Sequence, residues 1–258
     1  MNQGRRLYPS DLTNQQWDLI RDKFPQARSG GRPRTTDVRE VINAILYIIR
    51  SGCARRYLPD GFPPWKTVYH YFSKWNQQMV WQEINLLLNI EVRAQNGRNP
   101  LPSLGIVDAQ SMRASHGKSR GYDPIKKVRG RKRNIIVDTM GLIWGCEVHP
   151  ANEIDAKGGL RALDKVPDVV RKGITKILGD SVYRWPFEDF AIINYNIPVE
   201  ILGRSTKEKQ TKRWIVERTF AWFNHYRRLS RDYERISANA EAMIYIAMTN
   251  LMLRRLCS

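Results

Sequence analysis

The chain has 258 residues, 42% of them hydrophobic, enough for one large domain or two modest ones around a proper core. Lysine and arginine total 43 against 25 aspartates and glutamates, a formal net charge of +18 that attracts polyanions and makes nucleic acid the leading partner. An anionic membrane is the rival, but no apolar run approaches the roughly 18 to 20 residues of a spanning helix, and the N-terminus MNQGRRLYPSD lacks a signal-peptide core, so a cytoplasmic, nucleoid-associated location is expected.

Residues 11–24 predict a short helix, capped by Thr13 and carrying Trp17, Ile20 and Phe24 at helical spacing. Residues 25–36, rich in Pro, Gly and cations without periodicity, read as an exposed basic linker. Within it GGRPRT (30–35) is similar to the Gly-Arg-Pro core of minor-groove hooks, in which Arg32 and Arg34 would enter a narrow groove; a plain basic linker is the competing reading. A helix over 36–52 follows, with Val38, Val41, Ile42, Ile45, Leu46 and Ile49 in register and Gly52 as its stop. Residues 53–95 give a proline-rich turn, a helix from Trp65 to Trp75 and another to Arg93. Helical spacing sends Trp65, Val68, Phe72 and Trp75 inward and Lys66, Thr67, Tyr69, His70 and Lys74 outward, the pattern of a recognition helix in a helix-turn-helix, although many such helices are merely structural.

At GRNPLPS (97–103) the reading changes from helices to strands, which predicts a helical DNA-binding domain over 1–98 and an α/β domain over 99–258. Strands are expected at 104–109, 134–139 and 142–149, the last two joined by a tight turn at Met140 and Gly141. A helix over 153–164, a strand over 174–180, a helix over 186–196, a strand over 198–202 and helices over 212–229 and 239–256 complete a mixed sheet covered by helices. Between 111 and 133 lie nine cations (Arg113, Lys118, Arg120, Lys126, Lys127, Arg129, Arg131, Lys132 and Arg133) and one acid. This segment reads as a loop, mobile until DNA binds and gripping phosphates beside the strand of Asp108; a solvated basic loop is the alternative.

Three acids occupy special places. Asp108 ends the first strand in LGIVDAQSM, Asp180 ends the fourth in ILGDSVYRW, and Glu217 lies in the helix RWIVERTFAWFNHY. Strand ends of such a sheet share one edge, where ligands bind. Eight apolar residues between Trp214 and Tyr226 spread over more than one face and predict a largely buried helix, in which Glu217 needs a cation or metal as partner. Each acid also has a local reading: strand-end aspartates suit turns, and Glu217 could pair with Arg213 at i, i+4. Asp138 and Asp155 are equally eligible by residue type, read as the acid of the hairpin turn and of a helix's first turn. Residue types and spacing leave this choice open. Arg184 and Trp185, just past Asp180, could contact phosphate or stack on an unpaired base, while Trp185 could equally be core. Neither the four histidines nor Cys53, Cys146 and Cys257 have ligand spacing, and the thiols are expected buried and reduced.

GIVDAQS, LGDSVYRW and KRWIVERTFAWFNHYRRLSRDYE, in this order behind a basic helical region, resemble the DDE transposases of bacterial insertion sequences, particularly the large group named after insertion sequence five. The resemblance covers nearly the whole chain. It implies a ribonuclease H-like fold with Asp108, Asp180 and Glu217 as catalytic triad and metal ligands, and Lys212 and Arg213 beside them on DNA. Against the related Y-x2-R-x3-E-x6-K signature Arg213 and Glu217 match, whereas Gln210 replaces the Tyr and Asn224 the Lys. The implied chemistry uses Mg2+ or Mn2+, two ions roughly 3.5 to 4 Å apart held by carboxylate oxygens. The implied function is binding of terminal inverted repeats, cleavage at the element's ends and joining of 3′-hydroxyls to target DNA, by at least a homodimer on double-stranded DNA. A ribonuclease H-like nuclease without strand transfer and a non-catalytic transposase-derived regulator are the alternatives; a generic RNA-binding protein is disfavoured by a buried Glu217.

Overall fold

The computed structural model describes residues 5–26, 34–115, 117, 119–203 and 207–257, with the backbone alone of 207–211. Four helices come first: α1 (Asn14–Ile20), α2 (Val38–Ser51), α3 (Trp65–Gln77) and α4 (Val80–Gln95). The Thr13 hydroxyl accepts from the Gln16 amide while the Gln16 side chain accepts from the Thr13 amide, a reciprocal cap on α1. The Asp37 carboxylate takes the first amides of α2, and Gly52, at φ 75°, ends it in the left-handed conformation that side chains resist. In α3 the spacing holds: Val68, Phe72 and Trp75 are buried, Lys66, Tyr69 and His70 exposed, Thr67 and Lys74 half-buried.

The rest of the chain runs β1 (Leu104–Arg113), β2 (Gly121–Asp123), β3 (Val128–Val137), β4 (Ile143–Pro150), α5 (Asp155–Asp164), α6 (Asp168–Arg171), β5 (Lys176–Gly179), α7 (Phe187–Tyr195), β6 (Val199–Ile201), α8 (Lys207–Phe223) and α9 (Ser237–Leu256). β3 pairs antiparallel with β1, β4 and β2, while β5 adds parallel to β1 and β6 parallel to β5. This mixed sheet flanked by helices is the ribonuclease H-like arrangement that the sequence implies.

Residues 111–133 do not form the expected mobile loop. β1 continues to Arg113, and β3 already starts at Val128, so most of the segment is an antiparallel ribbon. Arg131, Lys132 and Arg133 are buried within it and are withdrawn from the outward phosphate-gripping set. Arg131 pairs with Asp232 at 2.7 Å and Lys132 with Asp155 at 2.8 Å. Arg133 bonds Gln110 and lies 4.5 Å from the Phe223 ring centre. These partners come from distant parts of the chain, so a polar run hides a buried strand. Arg113, Arg120, Lys126, Lys127 and Arg129 are exposed; Arg32 and Lys118 lie outside the described residues.

The sheet has an apolar cluster on each face. Val107, Ile136 and Trp144 pack with Leu163 of α5 and Phe187 of α7. Ile106, Ile135, Val137 and Ile143 pack with Val216 and Phe220 of α8, with α9, and onward with Ile45, Trp75 and Trp81 of the N-terminal helices. Fourteen of the twenty residues of α9 are buried, so this helix is a central post between the sheet and the N-terminal helices. The core therefore runs across the composition break at 97–103. No helix among the described residues is long and apolar enough to cross a membrane. The cysteines are free, but only Cys146 is fully buried; Cys53 and Cys257 are half-buried.

Candidate active site

β1 and β5 run parallel with Ile106 level with Leu178. The sequence puts Asp108 at a strand end, but β1 runs on to Arg113, so Asp108 stands within the strand; two residues past Ile106 it comes level with Asp180, the residue just after β5, and the two-residue alternation of a strand puts both on the face of Ile106 and Leu178, where α8 packs. Asp108 Oδ1 accepts from the Ala109 amide at 2.7 Å. Asp180 Oδ1 accepts from the Val182 amide at 3.0 Å, capping a single 3-10 turn over Ser181–Tyr183. From α8 the Arg213 Nη2 stands 3.7 Å from Asp180 Oδ2. Lys126 Nζ donates to the Ala109 carbonyl at 3.3 Å, which brings its ammonium beside Asp108. Burial pushes the Asp108 carboxyl up to about 6; Asp180 adds in the same direction, and the Ala109 amide, Arg213 and Lys126 oppose it.

Glu217 departs from expectation. It is exposed, because α8 buries only one face, through Ile215, Val216, Thr219, Phe220 and Phe223. The tryptophans that made the helix look buried all round serve its surface: the Arg218 guanidinium lies 4.5 Å from the Trp214 ring and 5.0 Å from the Trp222 ring, and Arg255 lies 4.4 Å from Trp222. Arg213 reaches Asp180 instead of Glu217, and Glu217 makes no hydrogen bond or ion pair among the described residues. With its burial goes the argument it supplied against RNA binding. One turn separates Arg213 from Glu217, so both lie on the side of α8 that looks toward Asp180. The helix is anchored just past Glu217, where Thr219 Oγ1 donates to the Gly141 carbonyl at 2.9 Å.

Among the described residues no group of three or more His, Cys, Asp or Glu could hold a metal ion. The donor chemistry nevertheless suits a hard divalent cation for the Asp108 and Asp180 pair: both offer carboxylate oxygens, and the Asp180 charge adds to the cost of ionising Asp108 until a cation relieves it. The third carboxylate stands apart from them.

The competing acids are committed elsewhere. Asp138, fully buried, accepts from the Met140 and Leu142 amides and pairs with Arg93 at 2.6 Å, which makes it the acid of the β3–β4 turn. Asp155 opens α5 and pairs with Lys132.

A supporting network escaped sequence reasoning. Tyr183, at the end of the Asp180 turn, is buried, and its hydroxyl donates to Asn134 Oδ1 at 2.7 Å. Asn134 Nδ2 lies 2.7 Å from His149 Nε2, and His149 Nδ1 lies 3.0 Å from the Pro150 carbonyl. A neutral ring protonated at Nδ1 satisfies both contacts, in keeping with the burial that lowers the His149 pKa. Asn134 is level with Ala109, next to Asp108, so the chain ties the Asp180 turn to the strands beside it. Its one sequence signal is Gly158-Gly159 inside a predicted helix. A Cβ on Gly158 would sit 2.2 Å from Asn134 Nδ2 and His149 Nε2, and one on Gly159 would sit 2.8 Å from the Tyr183 ring.

Arg184 and Trp185 are exposed, Trp185 by 70%, which rules out a core role for this tryptophan. Lys212 is exposed and Arg213 half-buried. Arg34 turns back onto the Pro25 carbonyl at 2.7 Å and toward Tyr71, so the hook reading is corrected for this residue. Asn224 is exposed; the Gln210 side chain lies outside the described residues.

Two family models match the chain. One, described as "Putative transposase of IS4/5 family", matches residues 12–85, and one described as "Transposase DDE domain" matches residues 99–252. None of the curated proteins compared matches it.

Proposed function

The chain belongs to the DDE transposases of the IS4/5 group, and on that premise we propose that it cuts DNA at the ends of its element and joins the freed 3′-hydroxyls to target DNA. The observation that carries this reading is the convergence of Asp108, within β1, and Asp180, just past the end of β5, beneath α8. Asp108, Asp180 and Glu217 would hold the divalent ions, Mg2+ or Mn2+ and two in number, with Glu217 free on the surface of α8 to turn toward the pair. Bound there, such ions would supply Lewis-acid stabilisation of the charge that develops on the phosphodiester oxygens.

The chain's own groups orient the reaction. The Ala109 amide fixes one oxygen of Asp108 and the Val182 amide one of Asp180, which leaves the other Asp108 oxygen for the ligand and the other Asp180 oxygen beside Arg213. Arg213 and Lys126 place positive charge against the substrate phosphate. Water attacks phosphorus and the bond to the 3′-oxygen breaks, giving a 3′-hydroxyl and a 5′-phosphate. That hydroxyl then attacks a target phosphodiester and displaces the target's own 3′-hydroxyl.

Residues 1–98 recognise the terminal repeats through Lys66, Thr67, Tyr69, His70 and Lys74 of α3, and 99–258 carry the chemistry. Arg113, Arg120, Lys127, Arg129, Arg184, Trp185 and Lys212 grip the backbone without reading sequence. A dimer or larger assembly brings two ends together.

Incubating the protein with end-bearing DNA, a target plasmid and Mg2+ should yield joined products, and Asp108→Ala should lower both nicking and joining by at least about a thousandfold. Nicking that survives Asp108→Ala refutes the catalytic assignment; nicking without joined products selects the nuclease reading.

A further inference from the structure

A second basic surface lies away from Asp108, where the ribbon after β1 meets the segment after α8. The Asp232 amide donates to the Arg113 carbonyl at 2.9 Å and the Ser115 amide to the Asp232 carbonyl at 2.8 Å, so 113–115 and 231–233 run side by side. Beneath them the fully buried Arg131 binds both segments: Nη1 reaches Asp232 Oδ2 at 2.7 Å and the Glu234 carbonyl at 3.0 Å, Nη2 the Arg235 carbonyl at 3.0 Å, and Nε the Ser119 carbonyl at 3.2 Å. Gly117, at φ 102°, permits this approach, since a Cβ there would lie 2.3 Å from Arg131 Nη2. The sequence offers Arg131 as a DNA contact; in the fold it builds the place where other arginines can serve.

That place is a cleft of about 690 Å³ lined by Ser115, Ser119, Arg120, Arg235 and Ser237. The Ser119 and Ser237 hydroxyls are 3.4 Å apart. Of its lining, Arg120 and Arg235 are exposed and make no ion pair among the described residues, although Arg120 also donates to the Gly117 and Ser115 carbonyls; Arg231 is exposed on the adjoining segment. The nearby acids are spent: Asp232 on Arg131, and Glu234 on Arg55 at 2.6 Å and Arg228 at 2.9 Å. The surface is therefore hydroxyl and guanidinium donors with uncompensated positive charge. Ile236 also lines a neighbouring groove of about 870 Å³, which is lined as well by Tyr69 and Ser73 of α3 and by Glu83, Asp164 and Asp168.

We infer that this cleft holds phosphates of one DNA strand between α3 and the Asp108 and Asp180 carboxylates, about five nucleotides from the cleaved bond. The inference rests on the transposase reading and adds Arg231, Arg235, Ser115, Ser119 and Ser237 to its contacts. The spacing follows from the β1 backbone: five residues separate Asp108 from Arg113, whose carbonyl is held by the Asp232 amide beside the cleft, about 17 Å at the rise of a strand, and one strand of duplex advances about 3.4 Å per nucleotide. Guanidinium and hydroxyl donors bind phosphate oxygens whatever the bases, so the contact sets register and adds affinity without adding specificity.

Fluorescence anisotropy of the full chain on end-bearing duplex, in chelator and across a salt series, tests this. R120Q/R235Q, both at exposed positions, should bind at least tenfold more weakly near about 0.1 M salt, on end and unrelated duplex alike, with a salt slope shallower by about two. A methylphosphonate placed about five nucleotides from the cleaved bond should weaken the parent by several fold and the double variant scarcely at all. If R120Q/R235Q melts lower than the parent, R231Q makes the same comparison. Unchanged affinity and slope, or a methylphosphonate effect equal in parent and variant, overturns the cleft. A parent chain that binds no duplex at all overturns the transposase reading with it.

Discussion

Asp108 is a carboxylate whose burial makes its ionised form costly to the fold. Its folded value of about 6 lies above the ordinary 3.8, so the folded chain binds this proton more tightly than the unfolded one. Stability from this group is thus fully present below the ordinary value and is lost as pH rises through about 6. Asp108→Asn keeps an oxygen for the Ala109 amide and removes the charge. In chelator, Asp108→Asn should be more stable than the parent at pH 8 by on the order of 3 kcal/mol, and equally stable at about pH 3, below the ordinary value; calorimetry at the two pH values checks this, and an unchanged melting point at pH 8 refutes it. Asp180 was legible as a carboxylate at a strand end, Asp108 was read there too although β1 continues five residues past it, and the motif resemblance singled both out from Asp138 and Asp155. The exposure of Glu217 was not legible, because Trp214 and Trp222 count as apolar in any periodicity although Arg218 and Arg255 cover them at the surface.

At the scale of elements, α5 breaks a local rule for the sake of its neighbours. Glycine inside an exposed helix costs about 1 kcal/mol relative to alanine, and Gly158→Ala would ordinarily stabilise. Here the added methyl would fall on Asn134 and His149, two members of the chain that ties the Asp180 turn to the sheet. Gly158→Ala should therefore destabilise by about 1 to 3 kcal/mol, measured by denaturant unfolding, and a gain in stability would show that the helix moves aside at little cost. The helices of 11–95 were legible from caps and spacing, since Thr13, Gly52 and the apolar stripes act locally. The β1–β3 ribbon was not. VRGRKRN reads as solvated, and it becomes a buried strand only because Asp232, Asp155 and Gln110 arrive from elsewhere to neutralise or bond its cations.

At the scale of the whole molecule, α9 joins what composition separates. Its buried residues pack on β4 to one side and on the N-terminal helices to the other, and one apolar cluster includes Trp75, Trp81, Val137, Phe220 and Met248. Glu234 adds a polar tie, pairing Arg55 from before α3 with Arg228 from after α8. Residues 1–98 and 99–258 should consequently unfold together, in one calorimetric transition with matching calorimetric and van't Hoff enthalpies; two resolved transitions would show that the shared core does not couple them. The amino-acid sequence alone determined the partner class, through net charge, most of the helices and the apolar strands, through caps and periodicity, and the family, through three motifs in order. Each is a property of composition or of residues close together in the chain. Only the tertiary structure decided which cations face solvent, that Glu217 stands off from an assembled pair of aspartates, and that Arg131 shapes a cleft from inside. Those outcomes depend on partners brought together across the chain, where burial and pairing decide whether a charge is available to a ligand.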